Sequence, residues 1–224
     1  ILLMPPDIPT AIQAVADAVR RGDIAPERID ESARKILRAK ARLGLHRQRT
    51  VSLDRIPELV GGRAHHAVAE EIARQSITVA RDRDRLLPLD PARAPRVLSI
   101  VYTDDPDPFA GRTFQRALAA RFRGIRQATL DARACPAQLD SLAAAADSAD
   151  VVLFSPFVRV VAWKGDVAIA QPVAETVRRI AARRPTVVTS FGNPYVLAQF
   201  PEVGTYVLAW GDEDVAQRAA ARAL

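Results

Sequence analysis

Cysteine is almost absent from this chain: Cys135 is the single one in 224 residues. That excludes an internal disulfide and a zinc cluster built on thiolates, and Cys135, at the start of a helical pattern, reads as a half-buried thiol. Aromatic residues make up only 5%, and lysine occurs only at Lys35, Lys40 and Lys164. No apolar run approaches the ~18 residues that a membrane helix requires. Phosphate-cradling glycine patterns are missing too. No G-x-G-x-x-G follows the run VLSIVY, and no G-x-x-x-x-G-K-[ST] occurs anywhere, so a nucleotide-binding Rossmann domain has no support. Ser155 and Ser190 fall at the ends of predicted strands, but neither sits in a G-x-S-x-G elbow.

What is present describes a globular protein. Apolar residues make up 49% and charged residues 26%, outside the range of wholesale disorder. A chain of this length buries roughly 70% of its unfolded surface, so its core needs no covalent staples. The net charge of +6 and pI near 10.2 raise the question of nucleic acid. The arginines, however, are spread from Arg20 to Arg222 with no aromatic or glycine-rich interleaving to stack bases. Nucleic-acid binding is therefore not expected.

The chain opens ILLMPPD, three apolar residues running into two prolines, and reads as a buried strand. IPTAIQAVADAVRRG then places Ile8, Ile12, Val15 and Val19 on one helical face, with Gly22 as the C-terminal cap. A second helix is expected with Asp30 as N-cap, a stripe of Ala33, Ile36, Leu37, Lys40 and Leu43, and a stop at Gly44-Leu45. Periodicity disappears over residues 46–64, which hold Pro57 and Gly61-Gly62 and read as a linker. HHAVAEEIARQSITVARD resumes helix, with Val68, Ile72 and Ile77 spaced for burial. Five β-branched apolar runs follow: VLSIVY (97–102), IRQATL (125–130), VVLFSP (151–156), TVVTSF (186–191) and TYVLAW (205–210). Helical patterns separate them near 111–123, 137–148, 171–183 and 194–200, and another closes the chain after Asp212. Near-continuous apolar strands alternating with helices predict a parallel sheet covered on both faces.

Ligands of such sheets sit beyond the carboxyl ends of the strands. The first such loop, TDDPDPFAG, carries Asp104, Asp105 and Asp107. Three carboxylates there suit a cation or sugar hydroxyls, but two prolines among them favour an acidic turn that caps the next helix. His65 and His66 are adjacent, so on a helix they point apart and cannot chelate one ion together; they read as helix N-terminal residues. Trp163 and Trp210 suit a sugar face or, preferably, core or interdomain packing. A receiver-like phosphoacceptor role for Asp104 or Asp105 would need a lysine near the last strand, and Lys164 lies before the fourth. No nucleophile, base and orienting group converge.

The segment RIDESARKILRAKARLGL, preceded by ILLMPPD and AVRRGDI, resembles the end of the catalytic barrel of glycoside hydrolase family 3. VGGRAHHAVAEEIARQSITVARDRDRLLPL resembles that family's passage into its second domain, and FGNPYVLAQFPEVGTYVLAWGDEDVAQRAAARAL the stretch just before the end of that domain. The resemblance implies an α/β chain. The terminal strand and helices of a (β/α)8 barrel would occupy 1–45 and a linker 46–64. A doubly wound, mostly parallel αβα sandwich would span 65–224. ILLM would be the eighth barrel strand, and both chain ends would be interruptions of longer elements.

The family implies retaining hydrolysis of β-linked sugars through a covalent glycosyl-enzyme intermediate, with no cofactor. Its nucleophile is an aspartate on the seventh barrel strand, which would precede Ile1, so no catalytic residue is assigned here. Many β-glucosidases of the family supply an acid/base glutamate from the sandwich, after the strand matching VVLFSP. Here no glutamate occurs between Ser141 and Ala174. The β-N-acetylhexosaminidase branch instead uses an upstream histidine, so the absence points to N-acetylglucosaminides in carbohydrate or cell-wall metabolism. Met4 and Asp7 are the candidate substrate-binding residues, from their strand-end position, with N-capping the competing role for Asp7. The expected partner is a carbohydrate, with no nucleic acid and no membrane span. A secreted or periplasmic location is favoured over a cytoplasmic one, and the oligomeric state stays open. The alternatives are a β-glucosidase of the same family, or a non-catalytic carbohydrate-binding or scaffolding sandwich.

Overall fold

The structure is a computed structural model and describes residues 1–93, 96–162, 165 and 167–224. Its contacts divide the chain into two units, Ile1–Gly62 and Arg63–Leu224.

In the first unit, α1 (Ile8–Arg20) begins where Asp7 accepts the Thr10 N–H at 3.2 Å and the Thr10 hydroxyl at 2.7 Å. It ends in a Schellman turn at Gly22, whose φ of +81° suits glycine, with Asp23 N–H bonded to the Ala18 carbonyl at 2.9 Å. The next helix, α2 (Pro26–Arg42), starts at Pro26 rather than after Asp30. Proline at the first helical position lacks only an N–H that has no partner there anyway, so the earlier start costs nothing. Gly44 closes α2 as expected, with Leu45 N–H on the Lys40 carbonyl at 3.0 Å. Residues 46–62 are not wholly irregular: a 3-10 turn at Leu53–Arg55 runs into the one-turn helix α3 (Ile56–Leu59).

The strand expected over ILLM does not form. Residues 1–7 carry no regular structure, and Ile1 is 96% exposed. A strand exists only through ladder bonds to neighbours, and the described chain pairs no strand with this segment.

The second unit begins with α4 (Arg63–Ser76), on whose first turn His65 and His66 are exposed. The helix expected to continue to residue 82 stops there, and β1 (Thr78–Asp82) follows. The remaining elements are β2 (Val97–Thr103), α5 (Arg112–Arg121), β3 (Ile125–Asp131), α6 (Pro136–Asp147), β4 (Val151–Val158), α7 (Gln171–Ala181), β5 (Thr186–Gly192), β6 (Thr205–Leu208) and α8 (Asp214–Ala223). The pattern at 194–200 is a 3-10 helix, Pro194–Gln199. Val68 and Ile72 are exposed instead of buried, and Cys135 is exposed where a half-buried thiol was expected.

The sheet order is β1-β6-β5-β4-β2-β3, parallel except for the β1–β6 pair. Alternation along β2 sorts the core into two faces. Leu98, Ile100 and Tyr102 pack with Leu139 and Leu142 of α6 and Val173, Val177 and Ile180 of α7. Val97 and Val101 pack with Phe114 and Leu118 of α5 and Ala220, Ala221 and Leu224 of the α8 end. Helices on both faces make this a doubly wound sandwich.

The antiparallel edge strand β1 is pinned by side chains. Arg81 donates to the carbonyls of Phe200, Pro201 and Val203 at 3.1, 3.0 and 2.8 Å, and Asp82 accepts the Thr205 hydroxyl at 2.8 Å. On the neighbouring strand, burial pushes the Tyr206 phenol up to about 12. An unfolded tyrosine ionises near 10, so between pH 10 and 12 the folded state holds the proton more tightly. Stability from this group is present below pH 10 and is lost as pH rises toward 12, by about 3 kcal/mol. Denaturant unfolding at stepped alkaline pH should show that loss, and Tyr206→Phe should reduce it.

Candidate functional site

The strands β3 and β4 flank β2 on opposite sides, and the helices that lead to them, α5 and α6, lie on opposite faces of the sheet. The carboxyl end of β2 is thus the topological switch point, where open α/β sheets leave a crevice. Two adjoining hollows occupy it. The larger, about 290 Å³, lies toward β3 and is lined by Thr103, Pro106, Asp107, Thr129, Asp131 and Gln138 among others. The smaller, about 140 Å³, lies toward β4 and includes Asp104, Phe157, Arg159 and Asp212. Thr103 and Asp107 belong to both.

The acidic loop does not cap α5. Asp107 accepts the Phe109 N–H at 2.8 Å and Asp104 the Asp105 N–H at 3.0 Å, while Gly111 is the N-cap position of the helix. At Gly111 φ is +69°, and a Cβ would come within 2.7 Å of a Val101 methyl, so a glycine is required. One N–H of the first turn of α5 is satisfied from α8, where Gln217 accepts the Phe114 N–H at 2.9 Å; beside it Asp214 accepts the Thr113 hydroxyl at 2.6 Å.

Electrostatically the crevice is acceptor-rich yet compensated. Arg159 forms an ion pair with Asp212, and that bond, reinforced by the charges of Asp212 and then Asp107, holds the guanidinium above its ordinary range. Hydrogen bonds from the Arg133 side chain and N–H hold Asp131 below the usual carboxylate range, with the ion pair at 2.8 Å. Thr103, at the end of β2, is 4% exposed.

The loop after β4 is anchored at its far end. Tyr102 accepts the Ala170 N–H at 3.0 Å, Asn193 donates to the Val167 carbonyl at 2.7 Å, and Gln199 bonds both backbone groups of Ile169 at 2.9 Å. The sequence reading singled out none of these three anchors, because their partners lie 26 to 68 residues away. Trp163 and Lys164 lie outside the described residues.

The other candidates do not meet here. Asp7 is engaged as the α1 cap, its carboxyl held low by the Thr10 hydroxyl and then the Thr10 N–H. Met4 is 87% exposed on left-handed backbone with φ +50°. Ser155 is buried, and the Ser190 hydroxyl donates to the Asn193 carbonyl. Trp210 lies just past β6, with φ +64° in a tight turn closed by Gly211 N–H on the Ala209 carbonyl at 2.7 Å. Among the described residues no His, Cys, Asp and Glu cluster could hold a metal, and no helix is long and apolar enough to cross a membrane.

No family model matches the chain. Over 209 residues, 88% of this chain, it is 30% identical to a β-N-acetylglucosaminidase/β-glucosidase of Cellulomonas fimi. This chain is similar to the C-terminal part of glycoside hydrolase family 3 enzymes. It spans about a third of that relative's length, 36%. Among solved structures it is similar to the β-glucoside phosphorylase BglX, with TM-score 0.69 and 23% identity over 94% of this chain and 38% of that one. A family 3 β-N-acetylglucosaminidase from Paenibacillus sp. str. FPU-7 superposes with TM-score 0.67 at 20% identity, over 94% of this chain and 39% of its own. At such identities the structural likeness establishes the fold, a mixed α/β chain whose sandwich follows a barrel in those enzymes.

Proposed function

We propose that this chain is the barrel-end and sandwich portion of a retaining β-glycoside hydrolase acting on terminal N-acetylglucosaminides. The observation that carries the reading is the 30% match to the Cellulomonas fimi protein, whose name joins N-acetylglucosaminidase with glucosidase. The absence of a glutamate between Ser141 and Ala174 favours the branch with a histidine acid/base over the glucosidases. In this reading residues 1–45 belong to the barrel, 46–64 link it to the sandwich, and Met4 and Asp7 stand at the substrate rim.

Retaining hydrolysis needs two groups, a nucleophile and an acid/base, flanking the scissile bond. Among the described residues no such pair converges, so the chain by itself is expected to release no p-nitrophenol from β-N-acetylglucosaminide or β-glucoside above a buffer blank. Measurable turnover by the purified chain would contradict that. In a chimera, this chain would replace the matching part of the Cellulomonas fimi relative. The chimera should cleave the N-acetylglucosaminide, and a folded but inactive chimera would remove the support for the hydrolase reading.

A further inference from the structure

We infer that the free edge of β3 pairs with β3 of a second copy of this chain, antiparallel about a two-fold axis at Thr129. Two sheets then become one. β3 ends the sheet, and among the described residues no strand lies on its far side. Its pairing with β2 is unbroken from Ile125 to Asp131, opposite Val97 to Thr103. Such a strand turns a row of N–H and C=O groups outward, where another chain can bond to them.

The two edges of the sheet are built differently. β1 is five residues long, and its register shifts between Val79 and Arg81. Its charged residues Arg81 and Asp82 are spent on partners in the same unit. A short, bulged, charged edge is a poor template for another strand. β3 has seven residues, IRQATLD, with no bulge, no proline, no lysine and a single charge, Arg126, before its last residue. Arg126 on the α6 face and Gln127 and Thr129 on the α5 face are all exposed, so neither covering helix shields the strand.

The side chains decide which strand fits. A two-fold axis normal to the sheet keeps each face continuous, so opposed residues must come from the same face. Centred on Thr129, it sets Thr129 against its own copy, Ala128 against Leu130, and Gln127 against Asp131. Threonine pairs and apolar pairs are favourable across antiparallel strands. Gln127 gives one amide N–H to the Gln115 carbonyl at 2.9 Å and keeps the other for the opposed carboxylate. Asp131 is paired with Arg133 at 2.8 Å, and a carboxylate has acceptor capacity beyond one such pair. Arg126 falls opposite Ala132, so no like charges meet. A strand that complements itself at these positions makes a second copy the partner, and the inference does not depend on the hydrolase reading.

The test is sedimentation equilibrium of the 224-residue chain, with a dimer expected at a Kd of about 100 μM, ordinary for a small interface. Thr129→Lys places two lysines opposite each other at an exposed position and should raise that Kd about fivefold, as should Thr129→Glu. An equimolar mixture of the two variants should dimerise at least as tightly as the unaltered chain. Amide exchange over residues 125–131 should slow with concentration in the unaltered chain and not in the lysine variant. If a variant does not fold, the concentration dependence of that exchange decides. A chain monomeric up to about 1 mM, a dimer indifferent to both charges, or a mixture no tighter than its components would overturn the inference. So would concentration-dependent protection confined to other segments, such as the apolar faces of α1 and α2.

Discussion

Replacing Phe191 with alanine is expected to destabilise the sandwich by about 4 kcal/mol, near the upper end for a buried aromatic. Phe191 is fully buried in the middle of the sheet face that α5 covers. Its ring stacks on Phe157, its partner across the β4–β5 ladder, at 4.3 Å between centroids and 7° between planes. It also meets Phe114 of α5 edge-on at 5.1 Å and 70°. Alanine would remove the transfer energy of the ring and two aromatic contacts, and it would leave a void that rigid strands cannot close. Leucine keeps most of the volume and should cost about 1.5 kcal/mol. Because Phe157 also lines the β4 side of the crevice, the alanine variant should loosen that wall as well. Guanidinium unfolding gives the numbers; a loss under about 1 kcal/mol would mean that the three rings are not packed as described.

The second large effect concerns the two units. No side chain from Ile1 to Gly62 is buried, and α1 and α2 leave Ile8, Ile12, Leu37 and Leu43 between 62% and 75% exposed. The caps at Asp7, Gly22 and Gly44 contribute about 1 kcal/mol apiece at most. Helices of 13 and 17 residues without tertiary burial are marginal in water. Amides of residues 8–42 should therefore exchange with protection below about a hundredfold. Those of Ile100, Val152 and Val188, on central strands with no exposure, should exchange only through global opening, slower by several orders of magnitude. Comparable protection in both units, read by hydrogen exchange with mass spectrometry, would contradict this.

Where the sequence reading failed, long-range contacts had decided the outcome. TVARD has the alternation of neither a clear strand nor a clear helix, and it becomes β1 because β6 offers a free edge and Arg81 finds three carbonyls about 120 residues away. TYVLAW reads as one strand, yet the ladder ends at Leu208 and Trp210 turns out of it. The acidic loop looks like a helix cap, but the N–H of Phe114 is satisfied by Gln217, 103 residues on. ILLM has the composition of a buried strand and lacks only a neighbour to pair with.

Local and periodic features were determined by the residues themselves. The stripe and caps of α1, the stop of α2 at Gly44, the five parallel strands and the helices that alternate with them follow from side-chain period and from glycine's tolerance of positive φ. So does membership of the α/β class. The crevice was left to the tertiary structure. Which strands neighbour β2, and therefore which loops face each other across its end, depends on sheet order, which no local pattern encodes. Thr103 is one more β-branched residue at the end of a strand until β3, β4 and the loop after β2 close around it; its burial is a property of that assembly and not of the residue.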